Sequence, residues 1–160
     1  LDRLESVGNT LGRGRYLAPA LGVAWIGARI AGKRRAADVV ARTAAAYVAG
    51  NIIVSALKPG LGRHRPDSIG DPFRFRPFSG EGEWHSLPSA HAIHAFTIAA
   101  AISSQSRRPW VPAVAYGAAG VVAWSRLYAD QHWLSDVAAA GVMGTLAARG
   151  VVRWLRPHRH

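Results

Sequence analysis

Five long apolar segments, separated by short basic stretches, constrain the fold of this chain more than any other feature of its sequence. Each is about 16 to 24 residues long, and a helix that crosses the hydrocarbon core of a bilayer needs about 20 residues. The sequence therefore predicts an all-α fold, a multi-pass transmembrane helical bundle with about five spanning helices. The segments cover residues 16–31, 36–57, 89–104, 109–127 and 132–155.

A soluble all-α bundle is the alternative, and two observations favour the membrane. Aromatic residues gather near the segment ends, as in an interfacial belt: Tyr16, Trp110, Trp124, Tyr128, Trp133 and Trp154. If the segments alternate in direction, the basic stretches at 33–35 and 107–108 share one side with the tail residues Arg149, Arg153, Arg156, His158 and Arg159. By the positive-inside rule that side is cytoplasmic. We therefore expect a cell (inner) membrane protein whose other side faces the periplasm.

Residues 1–15 are too polar to span a membrane. Leu4, Val7 and Leu11 are spaced for one face of an interfacial helix, together with Leu1, and a frayed terminus is the alternative. We expect a single domain over residues 1–160. The chain begins at Leu1 rather than at a methionine, which fits either a further N-terminal helix outside this sequence or a shorter family member.

The composition excludes two classes of site. The net charge of +11 raises the question of a nucleic-acid partner, but the basic residues form no stripe interleaved with aromatic side chains, so we expect none. The chain has no cysteine, which excludes disulfides and cysteine-based metal sites. The mean hydropathy is only +0.05, an average that hides how the charges are concentrated between the apolar segments.

Three short phrases lie at the segment ends that would face outward: KPGLGRHRP at residues 58–66, PSAH at 88–91 and SR-x5-H-x3-D at 125–136. Phosphate-ester cleavage needs fixed cations for the transferring group, a nucleophile and a proton donor for the departing oxygen. Lys58, Arg65 and Arg126 provide cations, since the arginine fork suits phosphate oxygens. Taken singly, each could equally be a residue that faces lipid headgroups.

His132 and Asp136 are four residues apart, so we expect both on one face of the last helix. There the carboxylate would accept a hydrogen bond from one ring nitrogen and leave the other nitrogen free to attack phosphorus. Ser89 follows a proline and predicts a helix start, which would direct backbone N–H groups at an anion. His91 would protonate the departing oxygen, and a capping or core histidine is its alternative role.

The remaining histidines and one loop carry weaker signals. We expect His94 to be a packing or hydrogen-bonding residue, whereas the roles of His64 and His85 stay open. A histidine metal site is disfavoured because the arginines would repel a cation and paired carboxylates are lacking, so we expect no metal and no cofactor. The loop at 73–78 alternates Phe with basic residues. It either dips into the headgroup zone or folds as a lid with its Phe residues on the bundle.

The three phrases resemble the signature of the type 2 phosphatidic acid phosphatase superfamily. The resemblance covers residues 58–136, and one position of the signature differs, since Ala90 stands where the family has glycine. It implies that His132 forms a phosphohistidine, oriented by Asp136, and that His91 acts first as general acid and then as base. The residues implied to hold the phosphoryl oxygens are Lys58, Arg65, Ser89, Ala90 through its backbone, and Arg126.

The resemblance implies a metal-independent, integral-membrane lipid phosphatase that acts at the outer face. Its partners would be the bilayer and a lipid phosphate or diphosphate, such as phosphatidate, phosphatidylglycerol phosphate or polyprenyl diphosphate. The sequence leaves the lipid and the oligomeric state open. The alternatives are a soluble periplasmic-type acid phosphatase, a vanadium haloperoxidase and a non-catalytic lipid-binding membrane protein.

Overall fold

Six α-helices make up the computed structural model, which describes residues 2–66 and 70–156. They are α1 (Asp2–Gly12), α2 (Gly14–Ile30), α3 (Arg34–Leu61), α4 (Ala90–Gln105), α5 (Trp110–Tyr128) and α6 (Leu134–Trp154). Helices α2 to α6 coincide with the five apolar segments to within a few residues, so the predicted all-α class is confirmed. The polar N-terminus is helical rather than frayed. Leu1, and His158 and Arg159 of the predicted basic tail, lie outside the described residues.

Helix α4 lies at the centre of the bundle. It packs against α3, α5 and α6, while α2 packs on α3 and α1 packs on α5. The core positions between these helices are mostly alanine, and Ala46, Ala92, Ala140 and Ala148 have no exposed surface. Small residues allow helices to approach closely, which is how helices associate where lipid removes the hydrophobic driving force between them.

The outer surface of the bundle carries many large apolar side chains. Ile30 at the end of α2 is 83% exposed, Ile52 in α3 is 64% exposed and Leu146 in α6 is 63% exposed. In water such a surface would be costly, whereas lipid accommodates it. By length and hydropathy alone, α3 is the one helix within the described ranges that could cross a membrane.

The helices alternate in direction, which sorts the polar residues into two ends. The C-termini of α3 and α5 lie with the N-termini of α4 and α6 at what we call the motif end, where all three signature phrases lie. The opposite end, which we call the basic end, brings Arg35, Arg107 and Arg156 around one cavity. The predicted clustering of basic residues from three separate stretches on one side is therefore confirmed for these three arginines.

The loop between α3 and α4 is fastened to the end of α3 at Gly62. This glycine has a positive φ of 58°, and a Cβ there would overlap the carbonyl of Arg76. The Gly62 carbonyl accepts a hydrogen bond from the Arg76 N–H at 2.7 Å, and Arg63 pairs with Phe75 in a β-bridge. Phe73 and Phe78 are 82% and 83% exposed. These two side chains do not pack on the bundle, which favours the headgroup-facing alternative for them, whereas Phe75 is 47% exposed and its ring lies near the guanidinium of Arg63.

Candidate active site

Asp136 is the most completely bonded side chain at the motif end. Its carboxylate is fully buried, and Oδ1 accepts a hydrogen bond from Arg63 Nη1 at 2.5 Å. Oδ2 accepts hydrogen bonds from Ser86 Oγ at 2.5 Å and from the backbone N–H of Trp133 at 2.9 Å. Three donors from three parts of the chain therefore fix the position of one carboxylate. Charge-assisted bonds of this kind are stronger than neutral ones.

His132 precedes α6 instead of belonging to it, so the prediction that it shares a helix face with Asp136 is wrong. Trp133 is extended, with ψ of 153°, and α6 begins at Leu134. The physical reason is capping: Asp136 accepts the Trp133 N–H, which fixes the start of the helix after His132. Nδ1 of His132 lies 3.7 Å from Asp136 Oδ2, too far for a hydrogen bond.

A serine hydroxyl lies within reach of both partners of this pair. Ser86 Oγ is 3.5 Å from His132 Nδ1 and donates its hydrogen to Asp136 Oδ2. The hydroxyl oxygen is left with lone pairs that can accept the proton of Nδ1. The His132 ring is thus connected to the carboxylate by way of Ser86, with the carboxylate itself at ion-pair distance.

The environment of His132 keeps its ring neutral. The side chain is buried, and burial lowers the pKa of His132 below its ordinary value. The positive charges of Lys58 and Arg65 act in the same direction, whereas Asp136 opposes them. A neutral imidazole with its proton on Nδ1 has a lone pair on Nε2. No described residue forms a hydrogen bond with that Nε2.

Two of the three predicted cations are held by the loop that precedes α4 and the one that precedes α6. Lys58 Nζ donates to the carbonyl of His85 at 2.5 Å. Arg65 Nη1 donates to Gln131 Oε1 at 2.5 Å, and its Nε donates to the carbonyl of Gly82 at 3.2 Å. These bonds restrict long, flexible side chains, so the charges are positioned before any anion arrives.

The third cation is covered by the N-terminal helix. Arg126 is only 5% exposed, and its Nη2 donates to Glu5 Oε1 of α1 at 2.7 Å. Helix α1 can lie this close because Gly12 faces the ring of His91, where a Cβ would come within 2.6 Å of the ring carbon Cδ2. The Glu5 carboxylate of α1 therefore pairs with the guanidinium that we expect to bind phosphate.

The start of α4 contains polar atoms without partners. Ser89 is the N-cap residue, as predicted, and Ala90 begins the helix. Ser89 Oγ and His91 Nε2 are both buried and form no hydrogen bond with another described residue. Arg126 and His132 lie within electrostatic range of the His91 ring. Buried polar groups normally have partners, so an unpaired pair beside cations indicates a place for an anionic ligand.

The other three histidines that the structure describes are bonded within the fold. Their ring nitrogens share hydrogen bonds with protein oxygens: His64 Nδ1 with the Arg65 carbonyl at 2.7 Å, His85 Nε2 with the Ser79 carbonyl at 2.9 Å, and His94 Nε2 with Asn51 Oδ1 at 3.2 Å. The expectation that His94 forms a structural hydrogen bond is confirmed. Across residues 2–66 and 70–156, no three His, Cys, Asp or Glu side chains are arranged to hold a metal ion.

Reasoning from the sequence missed Arg63, Ser86 and Glu5. Arg63 lies inside the first phrase, among positions that the signature leaves unspecified, and Ser86 lies two residues before the second phrase. The available signal for Arg63 was a basic residue inside the first phrase, and the available signal for Ser86 was a hydroxyl residue near the second. Glu5 had no signal, because its partner lies 121 residues away.

The fold and the site together define an all-helical membrane protein with a buried histidine and carboxylate beside three cations at one end of the bundle. The chain belongs to the PAP2 superfamily, whose sequence model matches residues 40–159. The resemblance noted from the three phrases is therefore confirmed.

The relatives give a finer comparison. The chain is 32% identical over 135 residues to a lipid A 1-phosphatase of Rhizobium etli, covering 81% of this chain and 50% of that protein. It is 31% identical over 96 residues to a lipid A 1-phosphatase of Porphyromonas gingivalis, covering 59% of this chain and 19% of that protein. The chain thus spans about half the length of the first of these relatives, and less of the second.

Two crystal structures share the fold. LpxE of Aquifex aeolicus superposes with a TM-score of 0.72 at 23% identity, covering 95% of this chain and 85% of that one. A transmembrane PAP2 type phosphatidylglycerolphosphate phosphatase of Bacillus subtilis superposes with a TM-score of 0.75 at 20% identity, covering 98% and 79%. At these identities the likeness shows a shared arrangement of the helices and nothing finer.

Proposed function

We propose that this chain is a metal-independent membrane lipid phosphatase that cleaves its substrate through a phosphohistidine at His132. The observation that carries the proposal is the pair of buried, unpaired atoms at the start of α4, Ser89 Oγ and His91 Nε2. A phosphate ester bound beside Arg126 would give both atoms a hydrogen-bond partner.

The reaction has two steps. In the first, Nε2 of His132 attacks phosphorus, the ester P–O bond breaks, and His91 gives a proton to the departing oxygen. In the second, His91 takes a proton from water, the water oxygen attacks phosphorus and the P–N bond breaks, which releases phosphate and restores neutral His132. The lowered pKa of His132 supports its role as the attacking group in the first step, since the attacking ring must be neutral.

Asp136, Ser86 and Arg63 act as positioning residues in this proposal. The Ser86 hydroxyl, between the carboxylate and Nδ1, would hold the proton on Nδ1 and keep the lone pair on Nε2. Arg63 would keep the carboxylate ionised and in place through its 2.5 Å bond. Asp136 stabilises the positive charge that develops on the ring when the phosphohistidine forms.

The phosphoryl oxygens would be held by Lys58, Arg65, Arg126 and the N–H group of Ala90 at the start of α4. Lys58 and Arg65 each have further N–H groups beyond those that bond to carbonyl and amide oxygens. Arg126 differs, because Glu5 already bonds to its Nη2. Substrate binding therefore requires Glu5 to release Arg126 or to share it.

For the substrate, we propose a phosphomonoester or diphosphate of a lipid, and the 1-phosphate of lipid A is the first candidate. The names of the relatives from Rhizobium etli and Porphyromonas gingivalis support this choice. Phosphatidate, phosphatidylglycerol phosphate and polyprenyl diphosphate present the same phosphoryl group to the same cations. They differ in the apolar part, which the helices beside the site would select.

A phosphate-release panel in detergent micelles tests the proposal. The wild-type chain should release phosphate from at least one of these four lipids with a chelator present, and vanadate should inhibit by mimicking five-coordinate phosphorus. His132→Gln and His91→Gln should lose activity. His94→Gln is the matched control in the same helix as His91, since an amide can still bond to Asn51 of α3. Full turnover by the two site variants, with all proteins folded, would exclude the mechanism.

We further propose that the chain lies in the cell (inner) membrane with the motif end outside. The basic residues at the other end support this orientation. The chain has no cysteine, so single cysteines can report sidedness. In intact cells, Phe73→Cys at the motif end should react with a membrane-impermeant maleimide, and Arg108→Cys at the basic end should react only after lysis. The reverse pattern would contradict the orientation.

A further inference from the structure

A second group of arginines lines a polar cavity at the basic end, on the opposite side of the bundle from the signature phrases. The cavity has a volume of about 620 Å³ and lies between the start of α3, the end of α4 and Arg156, which comes two residues after the end of α6. Arg35, Arg42, Arg107 and Arg156 line it, with Asp38 as the one carboxylate. Four positive charges and one negative charge therefore face the same space.

These charges are not neutralised within the described part of the protein. Arg35, Arg42 and Arg107 form no side-chain hydrogen bond or ion pair with another described residue, and Asp38 forms no ion pair there. Arg156 donates from Nη2 to the carbonyl of Ser104 at 2.7 Å, which directs its guanidinium toward the end of α4. Like charges gathered without counter-charges repel one another, and a bound anion would relieve that repulsion.

An apolar groove adjoins the charged cavity. It has a volume of about 630 Å³ and runs along the first turns of α3, where the apolar side chains of Ala36, Val39 and Val40 line it together with Lys33, Arg34 and Arg35. Arg35 and Val39 belong to both the cavity and the groove. A charged cavity that continues into an apolar groove on the surface of a membrane bundle matches a molecule with an anionic head and an apolar chain.

We propose that the basic end binds an anionic phospholipid, with its phosphodiester among Arg35, Arg42 and Arg107 and an acyl chain along α3. Arginine forks suit phosphate oxygens, and basic pockets between membrane helices bind acidic lipid headgroups. The site needs no phosphomonoester and no nucleophile. It is independent of the catalytic proposal, because no residue of the signature phrases contributes to it.

Native mass spectrometry of the delipidated full chain tests the proposal. The probes are dioleoyl-phosphatidylglycerol, which has no phosphomonoester to hydrolyse, dioleoyl-phosphatidylcholine as the zwitterionic lipid, and inorganic phosphate. The wild-type chain should bind one phosphatidylglycerol at least tenfold more tightly than phosphatidylcholine. Inorganic phosphate alone should compete only weakly. If phosphate competes as well as the lipid binds, the site holds a free anion and the lipid assignment is wrong.

Variants with equal charge changes separate the cavity from general attraction between charges. The triple change Arg35→Gln, Arg42→Gln and Arg107→Gln should weaken phosphatidylglycerol binding at least tenfold. The matched control changes Arg108, Arg149 and Arg153 to Gln, which removes the same charge from residues that do not line the cavity. It should stay within about twofold of the wild type. An equal loss in both triples would overturn the proposal.

A variant in the opposite direction guards against a folding defect. Asp38→Asn removes the one carboxylate of the cavity and should tighten phosphatidylglycerol binding, by about threefold, with the helical circular dichroism unchanged. Weaker or unchanged binding in Asp38→Asn would contradict the assignment even if the triple variant were misfolded. Phosphate release from a short-chain substrate should be the same in the wild type, Asp38→Asn and the cavity triple.

Discussion

The two ends of the bundle are both rich in cations, but they hold them differently. At the motif end, Arg63 bonds to a buried carboxylate, and Arg126 bonds to Glu5 of α1. At the basic end, Arg35 and Arg107 extend into a cavity without an ion pair to any carboxylate that the structure describes. The partners at the motif end restrict the charged side chains before a ligand binds, whereas no described ion pair restricts Arg35 or Arg107.

This difference corresponds to what each end is proposed to do. Stabilising a transition state requires charges that do not have to rearrange during the reaction, so partners that restrict each side chain are useful there. Holding a lipid headgroup requires attraction but tolerates movement, and flexible arginines at a bilayer surface are sufficient. The comparison leads to four predictions, in order of decreasing effect.

Removing one arginine from each end should have very unequal effects on catalysis. Arg126→Gln should lower kcat/KM by about 10³-fold, because a fixed donor to the transferring phosphoryl group is lost. Arg107→Gln removes the same charge at the basic end and should change kcat/KM by less than about twofold. Steady-state kinetics with a short-chain lipid phosphate measures both. Similar losses in the two variants would abolish the distinction between the ends.

Arg63→Gln tests whether a cation that need not touch substrate contributes through Asp136. We expect kcat to fall by about 10²-fold with KM little changed. Asp136 would lose the donor that holds it in place, and losing such a supporting hydrogen bond typically lowers activity by about 10- to 100-fold. Leaving the buried carboxylate without its partner should also lower stability by about 3 kcal/mol.

Rescue separates the two effects of Arg63→Gln. Arg63→Lys keeps the charge and should recover much of kcat, and thermal unfolding reports the stability of each variant. If KM rises while kcat is unchanged, Arg63 binds substrate and the positioning role is wrong.

Glu5→Gln should strengthen anion binding at the motif end. The carboxylate that competes for Arg126 would be replaced by a neutral amide, so vanadate should inhibit at about fivefold lower concentration. Glu81→Gln is the control, since its ion pair with Arg76 is exposed and belongs to the loop. Weaker vanadate inhibition in Glu5→Gln would mean that Glu5 orients Arg126 for the anion instead of competing with it.

The acid limb of the pH profile should lie below the ordinary histidine value of about 6.5. Burial lowers the pKa of His132, so the ring stays neutral and able to attack as the pH falls toward that lowered value, and activity declines only below it. The dependence of kcat/KM on pH measures this midpoint, and a midpoint above the ordinary histidine value would contradict the lowered pKa of His132.

Charge removal at the two ends distinguishes a titration of His132 from a titration of the substrate. Lys58→Met removes a positive charge that lowers the pKa of His132, so it should move the acid midpoint upward. Arg42→Gln at the basic end should leave the midpoint where it is. If the wild type, Lys58→Met and Arg42→Gln share one acid midpoint, the loss of activity at low pH reports protonation of the substrate's phosphate instead of His132.

The helices could be predicted from the sequence because the apolar segments are long and clearly bounded. The start of α4 was also predictable, since a serine after a proline is common where a helix begins, although Ser89 Oγ forms no capping hydrogen bond here. The start of α6 was not, because the capping of Trp133 by Asp136 competes with a simple four-residue spacing and places His132 outside the helix. A four-residue spacing places two residues on one helix face only if both residues lie within the helix.

The missed contacts at the site have a common physical cause. Arg63 and Ser86 bond to Asp136 only because Gly62 turns the chain and the loop folds back along the end of α3. Glu5 reaches Arg126 only because α1 packs on α5. Such contacts depend on tertiary packing, which leaves no local pattern in a sequence.

The bond between Glu5 and Arg126 joins residues that are 121 positions apart in the chain. During synthesis Glu5 is made long before Arg126, so this ion pair can form only after α5 has been made. His132 and Asp136 come later still. The cations, the histidine and the carboxylate of the motif end can therefore come together only once the start of α6 has been made.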